Sequence, residues 1–237
     1  MNCSLYKAIK LSVLKECSSR KVLKELTTTY RHFDKPLSNK VKRRIIHNIK
    51  QNNDFVLQYR HLPFIEFQIE FMKFNREQKK YLKKRIISLP SHHDALLYKI
   101  YSKILYRCYE IYLERKKLEG IPVAYRKGHS NITGAKEVID RICSFNKTWV
   151  IKGDFSHFFD NLNHDVLLKN VSHVISDISK ERLPDDWKSV LRSLMNYRYI
   201  ELKQIKEGVS KNEKASYVRS LSEFDNMVKM EELTISV

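Results

Sequence analysis

The chain has 237 residues, 42% hydrophobic and 11% aromatic, which is enough to bury a core in one or two domains and too apolar for a disordered chain. Its formal charge is +18, and the excess is lopsided: residues 1–120 carry 27 Lys+Arg against 11 Asp+Glu, residues 121–237 carry 18 against 16. That density of basic charge attracts phosphate backbones, the alternatives being an anionic membrane and a merely solvated lysine-rich surface.

Five Gly and five Pro leave little room for linkers and favour long helices. Residues 4–50 read as helix-rich, with Leu11, Leu14, Val22, Leu23 and Leu26 at three- and four-residue spacing and Lys40, Lys42, Arg43 and Arg44 on the next helical stretch. From Phe64 to Phe71 apolar and polar residues alternate, which puts Ile65, Phe67, Ile69 and Phe71 on one face of a strand. A lysine-rich connection, Lys73 to Lys84, leads to a second short strand, Arg85 to Leu89, stopped by Pro90. The pair predicts a hairpin arm with charge at its tip.

A helix is expected from Ser91, its N-cap, to about Lys117, broken by Gly120-Ile121-Pro122. A second should run from Thr133 to Phe145 with Ala135, Val138, Ile139 and Ile142 inward. Trp149-Val150-Ile151 reads as a buried strand delivering Asp154 to its C-terminal end. A turn and short helix are expected over Phe155–Asn163, then helices over Asp165–Ser176 and from Pro184 to about Tyr197. The tail from Lys203 is charged and weakly periodic, and Glu231 to Val237 close nothing evident.

No run of about 18 uncharged apolar residues is long enough to cross a membrane. Met1 to Ser19 lacks the apolar stretch of a signal peptide, and Cys3, Cys17, Cys108 and Cys143 show no metal-type pairing. A cytoplasmic protein with reduced thiols is expected.

The segment VIKGDFSHFFDNLNHDVLL, residues 150–168, carries most of the chemical information. A carboxylate at the end of a strand can hold Mg²⁺ together with phosphate oxygens, and a lone Asp there can equally be a helix N-cap. The order Asp154, Phe158-Phe159, Asp160, Asn163-His164 resembles the first catalytic motif of reverse transcriptases of the bacterial branch: group II intron proteins, retrons and defence-associated enzymes. Residues 83–105, KKRIISLPSHHDALLYKIYSKIL, resemble that family's fingers motif, and residues 123–135, VAYRKGHSNITGA, its next loop. Three segments in the family's order cover about 80 residues.

The resemblance implies an α+β fold: reverse-transcriptase-like fingers with a β-hairpin, a partial palm and a helix-rich N-terminal region. Its divisions would be a basic helical region (1–62), fingers (63–147), the start of the palm (148–200) and a charged tail (201–237), with Tyr197 to Ile200 opening an insertion. It implies template-directed DNA synthesis from an RNA template and a DNA primer, using deoxynucleoside triphosphates and two Mg²⁺ ions. Asp154 would be the catalytic metal ligand and Phe155, through its backbone, the second metal contact. Lys83 and Arg85 would touch the triphosphate, Phe159 would exclude a 2′-hydroxyl, and Arg126, Gly128 and Ser130 would contact template.

The chain departs from the family in carrying Ala124 where Gly is usual, and Tyr81-Leu82-Lys83-Lys84 where many members have a Pro-x-Gly turn. Neither the Pro-Gln-Gly type motif nor the aromatic-x-Asp-Asp hairpin follows residue 164. The expectation is a chain truncated before the second catalytic motif, completed by a downstream segment or a second polypeptide, or else a non-catalytic nucleic-acid-binding remnant. Val150 and Ile151 would then form an unpaired apolar edge and solubility would be poor.

Other constellations weigh against this one. Asp185-Asp186 lies between Pro184 and Trp187 and reads as a helix start rather than a catalytic hairpin. His93-Asp94 could centre a metal-dependent phosphohydrolase site, although the further His and Asp ligands that fold needs are not evident, and His157, Asp160, His164 and Asp165 a zinc site, against a solvated-helix reading. Tyr98, Tyr101, Tyr109 and Tyr112 are expected to be core rather than a base-stacking platform.

Overall fold

A computed structural model describes residues 4–26, 30–52, 54–75, 79–155, 158, 161–208 and 216–237. The described elements are α1 (Leu5–Cys17), α2 (Arg20–Glu25), α3 (Asn39–Gln51), α4 (Asp54–Leu57), β1 (Phe64–Asn75), β2 (Lys79–Leu89) and α5 (His92–Lys116). They continue with α6 (Asn131–Cys143), α7 (His164–Ser179), α8 (Asp185–Met195), β3 (Tyr199–Glu201), α9 (Leu202–Gly208) and α10 (Leu221–Lys229). The mixed α+β class expected from the sequence is observed, as ten helices and one three-stranded sheet among the described residues.

The chain divides into two compact units, Met1–Ile104 with Leu183–Val237, and Leu105–Arg182. In the first, the sheet runs in the order β2-β1-β3. β1 and β2 are antiparallel, with Ile65 opposite Leu89 and Phe71 opposite Lys83, whereas β3 lies parallel to β1 with Ile65 beside Ile200. The hairpin is longer than its periodicity suggested. The connection read as a loop from Lys73 to Lys84 is mostly strand, because a paired partner supplies ladder bonds that hold polar residues extended as firmly as apolar ones. Its expected charged tip, residues 76–78, lies outside the described residues.

The base of the hairpin is anchored in a core of Phe33, Leu62, Ile65, Ile200, Ile205, Val218, Phe224, Met227 and Leu233. Five of these nine come from the tail beyond Lys203 that was read as charged and weakly periodic, and one of them, Leu233, from the final stretch, Glu231 to Val237, that was expected to close nothing. Phe224, Met227 and Val228 repeat at i, i+3 and i+4 on α10, and Ser236 pairs its backbone with Tyr199 at 2.8 and 2.9 Å. Tyr199–Glu201, overlapping the stretch from Tyr197 to Ile200 read as the opening of an insertion, is the third strand of this sheet. At about 25 cal/mol per Å² of apolar surface removed from water, side chains such as Ile200 and Phe224 each contribute roughly 1.5–3 kcal/mol.

A second cluster in the same unit joins α1, α5 and α8. The Trp187 indole N–H donates to the Tyr6 hydroxyl at 2.8 Å, and Tyr101 meets Trp187 edge-on with ring centroids 4.9 Å apart. Asp186, 2% exposed, accepts from Tyr101 at 2.7 Å and from Lys10 at 2.6 Å. The reading of Asp185-Asp186 as a helix start holds: the pair opens α8 after Pro184.

The second unit is built differently. α7 is tied to the later part of α5 by Arg115, which donates to the Asp177 carboxylate at 3.3 Å, and by Tyr112 against His173. α6, however, buries only Gly134. Val138 and Ile139, expected inward, are more than half exposed, since the apolar stripe of an amphipathic helix turns inward only where another element covers it. Trp149-Val150-Ile151 is likewise not a strand. No strand pairs with these residues among the described residues, and three residues without ladder bonds do not hold an extended edge. Val150 and Ile151 are exposed, as expected, but as irregular chain.

Candidate nucleic-acid interface

The sequence-predicted residues fall in both units. In the first, Lys83 and Arg85 sit on β2 two residues apart, so their side chains leave the same face of the hairpin, roughly 6.7 Å apart along the strand. The register places them opposite Phe71 and Ile69, with Ile87 opposite Phe67 next along. The Arg85 guanidinium lies 5.3 Å from the centroid of the Phe71 ring, a cation–π contact that holds the planar fork in place without neutralising it. Lys84, on the opposite face, is paired to Glu70 at 3.2 Å. Neither Lys83 nor Arg85 has a carboxylate partner among the described residues. One face therefore carries uncompensated positive charge over aromatic side chains, the other a neutralised pair.

In the second unit, Arg126 is committed to its own loop. Its Nε and Nη2 donate to the two Glu110 carboxylate oxygens at 2.8 and 2.9 Å, and Nη1 donates to the carbonyl of Pro122 at 2.9 Å and to that of Glu119. The Arg126 fork holds the Glu110 carboxyl below the usual carboxylate range, with burial opposing it. Ser130 is equally occupied: it caps α6 by accepting from the Thr133 amide at 3.1 Å, and Thr133 accepts in return from the Ser130 amide at 2.8 Å. These bonds brace a turn in which Gly128 takes φ +83°, a conformation suited to glycine.

The brace presents a residue that sequence reasoning passed over. Tyr125 takes φ +59° and is 94% exposed, an unfavourable backbone for an aromatic residue, directly before the anchored Arg126. The only sequence signal was its place beside Arg126 in an aromatic-Arg-x-Gly-x-Ser loop.

Asp154 lies in irregular chain and is exposed, and Phe155 beside it is 80% exposed. Phe159 and Asp160 lie outside the described residues. Two-metal chemistry needs carboxylates from two elements holding ions about 3.5–4 Å apart. Among the described residues no group of three or more His, Cys, Asp or Glu side chains is arranged to hold a metal ion. Asp154 with the Phe155 backbone does not by itself fit a two-magnesium centre.

The His93-Asp94 pair is part of a polar brace around the start of α5. Asp34 accepts from the His92 and His93 amides at 3.0 and 3.1 Å, and its carboxylate lies 2.8 and 3.1 Å from their Nδ1 atoms. Burial alone would raise the Asp34 pKa, yet hydrogen bonds from the rings and amides of His92 and His93, with the His32 ring nearby at 3.5 Å, hold it far below the usual carboxylate range. Asp94 accepts from the Ser91 hydroxyl at 2.8 Å and the Leu62 amide at 3.2 Å, and lies 2.7 Å from His61 Nδ1. These are helix-capping bonds from distant segments, and the expected N-cap role of Ser91 is part of them.

In the proposed zinc site, His157 and Asp160 lie outside the described residues, while His164 and Asp165 are consecutive at the start of α7. Of the four tyrosines, Tyr101 is buried, Tyr98 bonds Ser193 at 3.2 Å, and Tyr109 and Tyr112 are half-buried. Burial pushes the Cys17 thiol up to about 11 and the Cys108 thiol up to about 12, so both stay protonated, while Cys143 is exposed. No described helix is long and apolar enough to cross a membrane. No protein-family model matches the chain, and no curated protein matches it in sequence.

Proposed function

We propose that the chain forms the fingers and the opening of the palm of a reverse-transcriptase-type polymerase, and serves template-directed nucleotidyl transfer with Asp154 as its first catalytic carboxylate. The observation that carries the proposal is the hairpin face on which Lys83 and Arg85 stand together, unpaired by carboxylates and backed by Phe67 and Phe71. A triphosphate laid on that face meets one point charge and one planar fork suited to phosphate oxygens.

In the reaction, the primer 3′-hydroxyl oxygen bonds to the α-phosphorus as the bond to the bridging oxygen breaks, and pyrophosphate leaves. Lys83 and Arg85 would bind the β- and γ-phosphates and neutralise charge as it builds on that leaving group. Arg126 and Ser130 would serve as positioning residues, holding the loop that offers Tyr125, Lys127 and the Gly128 backbone to template. Phe159 would lie against the sugar of the incoming nucleotide. The palm would be completed by a further segment or a second polypeptide.

The solitary exposure of Asp154 favours a second reading, a nucleic-acid-binding module without catalysis. Two measurements on the full chain separate the two: binding of a fluorescent dTTP analogue in the presence of poly(rA)/oligo(dT), and primer extension on that duplex with Mg²⁺ and dTTP. The polymerase reading expects nucleotide binding that weakens about tenfold or more in Arg85→Gln, about 1.4 kcal/mol, and any extension to disappear in Asp154→Ala. Duplex binding with no nucleotide binding and no extension would establish the module instead.

A further inference from the structure

α1 and α3 enclose a groove of about 900 Å³ whose walls include Lys15 on α1 and Arg43, Arg44, His47 and Lys50 on α3. No acidic residue lines it among the described residues, and Leu11, Leu14 and Ile46 form its apolar floor. None of Lys15, Arg43, Arg44 and Lys50 has a carboxylate partner among the described residues, whereas other cations of these helices are engaged: Lys10 pairs with Asp186, and Lys42 is turned inward to donate to the Leu23 carbonyl at 3.0 Å. Arg43, His47 and Lys50 recur at i, i+4 and i+7, so they form one stripe along α3 about 10 Å long at 1.5 Å per residue.

We infer that this groove is a binding site for the phosphate backbone of a double-stranded nucleic acid. A stripe of about 10 Å meets roughly three successive phosphates of one strand at about 3.4 Å of axial rise each. Sites for unpaired strands add aromatic platforms on which bases stack. Among the described residues no Phe, Tyr or Trp lines this groove, which suits it to backbone charge and not to bases. The arginines suit the phosphate oxygens through their forked donors, and Lys15 faces them from the other wall as a point charge. The site is separate from the hairpin face and does not depend on the polymerase reading.

The test is fluorescence anisotropy of a duplex of about 20 base pairs, as RNA, DNA or their hybrid, titrated with the full chain over a range of salt. The four cations are exposed, so Arg43→Gln/Arg44→Gln/Lys50→Gln leaves the core untouched, and a thermal melt checks that it folds. Removing three phosphate contacts should weaken duplex binding about tenfold or more near 0.1 M salt and flatten the slope of log K against log salt by about 2 to 3. Lys180→Gln/Lys188→Gln, which removes two cations that face Asp177 and Asp185 outside both proposed sites, should keep the wild-type slope. Comparing the three duplexes identifies which source is held. An unchanged slope in the triple variant would overturn the proposal. So would an equal loss on an unpaired strand of the same sequence, or a loss confined to vesicles containing phosphatidylserine, which would make the groove a membrane contact.

Discussion

The two compact units use their apolar residues in opposite ways. In the unit formed by residues 1–104 and 183–237, helices and sheet close on one another until Ile65, Ile100, Trp187, Ile200 and Phe224 are all but sealed from water. In residues 105–182, Ile132, Val138, Ile139, Trp149, Ile151 and Phe155 stand largely exposed. The positions of interest inherit that difference. Lys83 and Arg85 are carried by strands anchored in a core, so their common face is set by backbone pairing. Asp154 is carried by irregular chain, so nothing among the described residues fixes its direction. The proposed role of Lys83 and Arg85 therefore rests on the first unit alone, whereas the chemistry proposed for Asp154 needs a partner surface.

If that contrast is sound, the first unit should fail when its buried polar joints are cut. The largest effect is expected at Asp186→Ala, which strips Tyr101 and Lys10 of the bonds they make to a carboxylate that is 2% exposed. Removing one partner of a buried charged pair costs about 3–5 kcal/mol. Urea unfolding followed by tryptophan fluorescence reads it, since Trp187 lies beside the lost carboxylate. A loss below about 1 kcal/mol would show that this joint is not what binds α1, α5 and α8 together.

A smaller loss is expected at Asp34. Its folded pKa is depressed, so its contribution is fully present above the unfolded carboxylate value of about 3.9 and is lost progressively as pH falls below it. Asp34→Asn should cost about 2–3 kcal/mol at pH 7, the worth of a hydrogen-bonded buried charge. It should also flatten the acid limb of stability against pH. Urea midpoints at pH 7 and at about pH 3 measure both: the wild type should lose more between them than the variant does. An equal loss in the two would show that other carboxylates carry the acid sensitivity.

The same contrast explains which parts of the molecule were legible in its sequence. Period-2 alternation from Phe64 to Phe71 announced the hairpin because a half-buried strand must sort its side chains by face. The lysines beyond it hid the outer half, since ladder bonds and not side chains keep those residues extended. Ser91 and Pro184 announced helix starts through capping chemistry that is local in sequence. Asp34 capping α5 from 58 residues away, and the tail supplying Phe224 and Leu233 to the core, are tertiary facts with no local signature. At the site, the motif joined Lys83 to Arg85, but their shared face was hidden, because Lys83 was read in the connection before the strand and strand parity applies only with β2 starting at Lys79. The spending of Arg126 on Glu110 was hidden too, because a motif states which residue is present and not which neighbour claims its donors.

The smallest predicted effect tests the second unit, and it tests by being small. Trp149 and Ile151 are 97% and 94% exposed, so they bury no area whose loss would destabilise the fold. Trp149→Ser/Ile151→Ser should change the unfolding free energy from urea titration by no more than about 0.5 kcal/mol, the range of surface substitutions. Both side chains are large apolar groups left in water, so the same variant should stay monodisperse at concentrations where the wild type self-associates. Light scattering alongside the urea titration separates the two properties. Better dispersion at unchanged stability would mean that the apolar run works at a surface between molecules or segments. A destabilisation of about 2 kcal/mol or more would mean instead that it packs within the chain, and the contrast between the two units would fall with it.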